Sequence, residues 1–221
     1  MLSAGLLSMA IAPGIAIAVY IYKKDHTEKE SKLHLFVAFL LGMVATLPAF
    51  LLSRLFEKKT GLNAQAFSIG TLLTYCILGV GLMEELSKFL FSKIFYRKEA
   101  FNEPFDGVVY CVMVAMGFAT AENIVYIADG GLQTAILRMF TSIPAHAAFA
   151  VLMGNYMGRA KFSLHPLPLL ILAVIIPSIY HGLFDFFLIQ KISWVLSLGA
   201  AITFVHMLKL SNKIIDRQVS N

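Results

Sequence analysis

Charged residues are scarce in this chain: they make up 14% of its 221 positions, against about 25% in an ordinary soluble domain. So little charge excludes a water-soluble surface of normal extent. Cysteine is nearly missing as well. Cys76 and Cys111 both stand inside apolar stretches, which leaves neither a disulfide framework nor a CxxC metal site. No serine or cysteine is paired with a base in the polar motifs described below, and this argues against a covalent acyl-enzyme. Internal repeats and low-complexity tracts are absent, and no polar stretch is long enough to form a separate soluble domain. The net charge of +5 and the pI near 9.2 would suit a nucleic-acid partner only if the basic residues formed one patch. They sit between apolar runs instead, so nucleic acid is excluded as a partner and the charge is read as a signal of membrane orientation.

What the chain has in abundance is apolar length. Hydrophobic residues make up 58% of it and the mean hydropathy is +0.77, values expected of a protein whose solvent is mostly lipid. A hydrocarbon core of about 30 Å needs about 20 apolar residues per helix. The sequence therefore predicts an all-α, multi-pass transmembrane bundle of about seven spans, folded as a single integral membrane domain over residues 1–221. The spans are expected at about 2–22, 33–55, 67–91 (with the helix running on toward 96), 107–127, 132–157, 167–189 and 192–210. Pro48 is expected to kink the second. Asp129-Gly130-Gly131 should turn the chain between the fourth and fifth, and Gly154-x-x-x-Gly158 should let a neighbouring helix come close.

Loop charge sets the expected orientation. The first span lacks the basic leader of a secretory signal and is followed by Lys23 and Lys24, which reads as an uncleaved anchor. With the N-terminus outside, the cytoplasmic side collects Lys23, Lys24, Lys29, Lys32, Lys93, Arg97, Lys98, Arg159, Lys161, Lys209, Lys213 and Arg217. The outer side has only Arg54, Lys58, Lys59 and Lys191. This bias predicts an N-terminus outside and a C-terminus in the cytoplasm.

A charge at bilayer depth costs roughly 2.5 to 3.5 kcal/mol on insertion scales, yet the spans hold several. Glu84, Glu85 and Lys88 interrupt the third, Glu122 and Asn123 the fourth, Arg138 and His146 the fifth, and His181 and Asp185 the sixth. Glu84 and Lys88 are four apart and share a helix face. Glu85 is turned by about 100° but remains three residues from Lys88. His181 and Asp185 have the spacing at which a carboxylate orients an imidazole or both bind one ion. Arg138 is expected to snorkel or to pair with an acid. Gathering these groups in one wet interior pocket is the least costly way to satisfy them. Paired glutamates and two histidines then have the parts for acid-base hydrolysis, and equally for binding Zn²⁺. At 1.5 Å per residue, His146 and His181 should lie roughly 12 to 20 Å from the outer ends of their spans, and Glu84 roughly 20 to 25 Å from its own.

In order, Glu84-Glu85-x-x-Lys88, Phe105-Asp106-Gly107-Val108-Val109-Tyr110, Gly117-Phe118-Ala119-Thr120-Ala121-Glu122-Asn123, His146 with Gly154, and His181-x-x-x-Asp185 resemble the successive motifs of the PrsW membrane proteases. That family belongs with the CAAX-processing and bacteriocin-immunity (Abi) proteases. The resemblance spans about residues 81–185 and implies a CAAX-protease/Abi-like helical core in a bacterial cell membrane. It implies site-1 cleavage of a single-pass anti-sigma factor. A downstream intramembrane protease and a cytoplasmic protease would then release an extracytoplasmic-function sigma factor of the sigma-W stress type. Glu84 or Glu85 would activate water, while His146 and His181 would position it or polarise the scissile carbonyl. Lys88, Glu122, Asn123 and Asp185 would support them, and His146, His181, Glu84 and Asp185 are the candidate ligands of a Zn²⁺ ion. Lys88 stands one position before the arginine common in the wider group, and Asp185 replaces an asparagine of the CAAX branch.

Two other classes suit the same residues. The acids and histidines would also make the relay of a proton-coupled transporter or channel, although the broken-helix repeats of such proteins are not visible. A non-catalytic immunity protein would bind a peptide without cutting it.

Overall fold

The computed structural model describes residues 3–25, 28–65 and 68–219, and every regular element among them is helical. In order these are α1 (Ala4–Lys24), α2 (Lys32–Thr60), α3 (Ile69–Thr74), a π-helical segment (Tyr75–Gly81), α4 (Leu82–Tyr96), α5 (Pro104–Phe140), α6 (Ser142–Lys161), α7 (Pro166–Ile189) and α8 (Trp194–Val219). Six helical stretches among the described residues are long and apolar enough to cross a membrane. The longest, Pro104–Lys161, holds two of the expected spans, so the all-α bundle of about seven passes is borne out. The expected starts of the first and third spans, Leu2 and Phe67, lie outside the described residues.

Local chemistry explains where the helices begin and end. Ser3 caps α1 by accepting the Leu6 amide at 3.3 Å. Gly61, at φ 72°, closes α2 in the left-handed region that favours glycine. α2 runs through Pro48 as one helix. The chain reverses between the fourth and fifth spans in two steps. Gly131 breaks α5 with φ 65°, and Thr141 ends it with φ −119°. Residues 132–140 therefore finish α5 instead of opening the fifth span. Pro144 falls in the first turn of α6, where its missing N–H costs no intrahelical bond.

The N-terminal half of α5 is the axis of the bundle. Every residue from Phe105 to Thr120 is buried, as expected of a helix that is apolar all round. Its first turn is held by Asp106, whose Oδ2 accepts the amides of Asn102 and Glu103 at 2.7 and 2.8 Å. Next to it, Gly107 passes Gly154 and Gly158 of α6 backbone to backbone. A Cβ on any of the three would collide with the other helix, which identifies α5 as the neighbour the glycine spacing anticipated. Outward faces carry large apolar side chains, such as Phe36, Leu47, Phe50 and Trp194, all well exposed. Exposure on this scale means a lipid solvent.

One end of the bundle joins the helix ends richest in basic residues. Lys161 donates to the Tyr96 carbonyl at 2.6 Å, Lys24 pairs with Asp216 at 4.0 Å, and Asn102 donates to Glu28 at 2.6 Å. At the opposite end Tyr75 donates to Glu57 at 2.8 Å.

Candidate active site

The π-helical segment delivers the paired glutamates. Hydrogen bonds of i to i+5 reach widen its turns, and such bulges recur at functional positions. Two glycines bring it against α7: a Cβ on Gly81 would lie 2.6 Å from the Ser178 carbonyl oxygen, and one on Gly182 would lie 2.5 Å from Ile77 Cα. Glu84 and Glu85, in the first turn of α4, are thereby set against His181 on the next helix face.

Glu85 is fully buried. Its Oε1 accepts from the Lys88 ammonium at 2.7 Å and from His181 Nδ1 at 2.9 Å. A carboxylate can only accept here, so the His181 proton sits on Nδ1. Nε2 of the same ring then faces Asp185 Oδ2 at 3.4 Å and Glu84 Oε2 at 3.8 Å. Lys88 also reaches Glu84 Oε2 at 3.3 Å and His146 Nδ1 at 3.0 Å, and its ammonium lies 4.2 Å from the centre of the Phe118 ring. On the far side of His146, Nε2 meets Glu122 Oε2 at 2.9 Å, and Arg138 Nη2 holds the same oxygen at 2.8 Å. His146 is therefore neutral by the same reasoning, donating to Glu122 and accepting from Lys88.

Four helices thus converge, and seven of the eight candidate residues form one connected network: Glu84, Glu85, Lys88, Glu122, His146, His181 and Asp185. Asn123 stands at its edge, accepting from Arg138 Nε at 2.7 Å. Arg138 does pair with an acid, Glu122, and it also donates to Ser142 Oγ at 3.0 Å. The expected mismatch in depth does not keep these groups apart, since Lys88 Nζ reaches both Glu84 Oε2 and His146 Nδ1. α6 begins only at Ser142, which puts His146 one turn from its start instead of deep within a span that opens at 132.

Two aromatic contributors were not anticipated. Phe149 stacks on His181 with centroids 4.7 Å apart and planes 14° from parallel, and meets the edge of His146 at 6.0 Å. It is three residues from His146, on the same helix face, so its signal was the i+3 spacing. Phe118, under Lys88, stands four residues before Glu122 and so carried the same kind of signal.

A cavity of about 280 Å³ lies over this network. Glu84, Glu122, His146, His181 and Asp185 line it, while Glu85 and Lys88 lie behind. It has room for a short stretch of peptide. The cavity also borders Ala64, Arg138, Thr141 and Ile189, all at the end opposite the basic-rich one.

Glu84, His146 and His181 each offer one ligand atom, and these atoms lie within 4.8 Å of one another. Two imidazoles and a carboxylate are a familiar donor set for a catalytic zinc site with an open position. The outer nitrogens fit too: His181 Nδ1 rests on Glu85 and His146 Nε2 on Glu122, the carboxylate-histidine arrangement that orients metal ligands.

A sequence model for the family described as "PrsW family intramembrane metalloprotease" matches residues 30–210. The chain is 34% identical over 191 residues to "Protease PrsW" of Geobacillus kaustophilus (strain HTA426), covering 86% of this chain and 82% of that protein. It is 34% identical over 193 residues to "Protease PrsW" of Bacillus subtilis (strain 168), covering 86% and 85%. For "Protease PrsW" of Clostridioides difficile (strain 630) the figures are 33% over 201 residues, 87% and 83%. No solved structure matches the chain.

Proposed function

Because the chain belongs to the PrsW family of intramembrane metalloproteases, we propose that it makes the site-1 cut in a single-pass anti-sigma factor, on the outer side of a bacterial cell membrane. A second intramembrane protease and a cytoplasmic protease then complete the degradation and free a sigma factor of the sigma-W stress type. The observation that carries this reading is the cavity over Glu84, His146 and His181. It lies at the end of the bundle whose loops are poor in lysine and arginine, which by the positive-inside rule is the outer one. The N-terminus is then outside and the C-terminus cytoplasmic. A substrate with one span of its own presents a bond just outside that span at this depth.

Glu84 is the member of the glutamate pair that faces the cavity, and it takes the proton from the attacking water. Once the water oxygen has bonded to the carbonyl carbon, the same proton passes to the departing amine as the C–N bond breaks. Glu85 does not touch substrate. It holds His181 with Nε2 turned inward and anchors Lys88, whose ammonium bonds to both carboxylates. His181 Nε2, unprotonated in this tautomer, accepts from the attacking water and positions it, with Asp185 Oδ2 3.4 Å from the same nitrogen and His146 held beside it by Glu122 and Lys88. As the alternative to its role as proton acceptor, Glu84 would hold Zn²⁺ together with His146 and His181, and the ion when bound supplies Lewis-acid polarisation and a more acidic water.

The test is cleavage of a candidate anti-sigma factor by detergent-purified protein, with zinc content measured on the same sample. Glu84→Ala and Glu85→Ala should each cut activity by about a hundredfold or more while the protein stays folded and inserted. Full cleavage by both variants would overturn the assignment. Activity that disappears reversibly when stoichiometric zinc is stripped makes Glu84 a ligand. Activity of the metal-free protein makes Glu84 the sole acceptor of the water proton.

A further inference from the structure

Another cavity among the described residues lies away from the catalytic network, at the basic-rich end. α1 and α2 are consecutive in the chain, yet both pack on α5 and hardly on each other. The space left between them measures about 630 Å³. Val19 and Tyr22 of α1 form one wall, Phe36 and Phe39 of α2 the other, and Met113 of α5 the floor. This volume is in the range of small-ligand sites, roughly 300 to 1,000 Å³. It is too small for a folded partner, and it opens sideways into lipid, since Val19 is 45% and Phe36 60% exposed.

The mouth of the groove is unlike its walls. Lys23, Lys29 and Lys32 all border it and are exposed. None of the ion pairs among the described residues uses any of the three. The acids of the same connector are engaged elsewhere: Glu28 accepts from Asn102, Glu30 accepts from the Tyr110 hydroxyl, and Asp25 accepts the Glu30 amide. Lys29 is steadied by lying 5.2 Å above the Tyr22 ring, itself a wall of the groove. An apolar slot that ends in three uncompensated cations at the membrane boundary is complementary to two acyl chains capped by a phosphate.

We propose that the α1–α2 groove is a binding site for an anionic phospholipid, with its acyl chains against Val19, Phe36 and Phe39 and its headgroup phosphate held by Lys23, Lys29 and Lys32. Long lysine stems let the ammonium groups reach the headgroup level while their methylenes stay on apolar wall. The site does not depend on the proteolytic reading and involves none of its residues.

The experiment uses the full chain in a neutral detergent, offered phosphatidylglycerol or phosphatidylcholine of identical acyl chains, with bound lipid quantified by mass spectrometry after gel filtration. Phosphatidylglycerol should bind in preference. Each lysine near an anionic headgroup is worth about fivefold, so Lys23→Gln, Lys29→Gln and Lys32→Gln together should lower phosphatidylglycerol affinity by about a hundredfold and erase the preference. Val19→Trp, which fills the slot and keeps the charges, should reduce retention of both lipids. It also serves as the test if the triple variant melts at a lower temperature. Equal binding of the two lipids by the unaltered protein would overturn the proposal. So would a preference that survives loss of the lysines, or competition by inorganic phosphate as strong as by the lipid.

Discussion

At the scale of single residues, the site is built from carboxylates that do different work despite their similarity. Glu84 and Glu85 are adjacent, yet one lines the cavity and the other is sealed behind it, bonded to Lys88 and His181. Glu122 orients His146 and is in turn held by Arg138, which also bonds Asn123 and Ser142 and lies 4.1 Å from the Tyr126 ring centre. In the proposed reaction Arg138 is a positioning residue acting through Glu122. Replacing it by methionine keeps the apolar stem but frees Glu122 to turn away from His146. Losing such an outer partner typically costs about 10- to 100-fold, and the loss is expected in kcat with KM little changed. Arg138→Lys should recover only part of it, because one ammonium cannot reproduce the guanidinium fork. Steady-state cleavage kinetics on protein of unchanged melting temperature are the check. Equal loss in both parameters would show a merely structural role.

At the scale of elements, the contact between the π-helical segment and α7 matters most, since it puts Glu85 and His181 within hydrogen-bonding distance. Gly182 makes that contact possible, facing the backbone of Ile77. Gly182→Ala should push the helices apart and cost about 1 to 3 kcal/mol through overpacking. Thermal unfolding in detergent should show the loss as a lower melting temperature, accompanied by a fall in cleavage. Gly70→Ala in α3 is the control, because a Cβ there meets nothing within 4 Å. It should leave activity unchanged and stabilise slightly, since alanine suits a helix better than glycine by about 0.5 to 1 kcal/mol. Equal effects at the two positions would show that this close approach does not govern the site.

At the scale of the whole molecule, orientation is the property that gives the cavity its biological side. Cys76 and Cys111 are both buried, so a single exposed cysteine can be introduced without background. Lys59→Cys, just before the end of α2, should react with a membrane-impermeant thiol reagent in intact cells. Lys98→Cys, in the connector after α4, should react only after permeabilisation. The reverse pattern would put the cavity on the cytoplasmic side and remove the support for an extracytoplasmic cut. The solvent class, the helical architecture, the approximate number of passes and the polar residues to watch were all legible in the residue order, because apolar length and the cost of charge in lipid are local properties. That order also showed that Gly154 and Gly158 admit a close neighbour, though not that the neighbour is Gly107 of α5. It took the packed helices to reveal that Glu84 faces the cavity and Glu85 does not, that Arg138 reaches Glu122, that Phe149 stacks on His181, and that α1 and α2 stand apart over Met113. Those outcomes depend on the angular register of one helix against another. Here the register is reset by π-helical turns and by breaks at Gly131 and Thr141, and hydropathy carries no trace of such resetting.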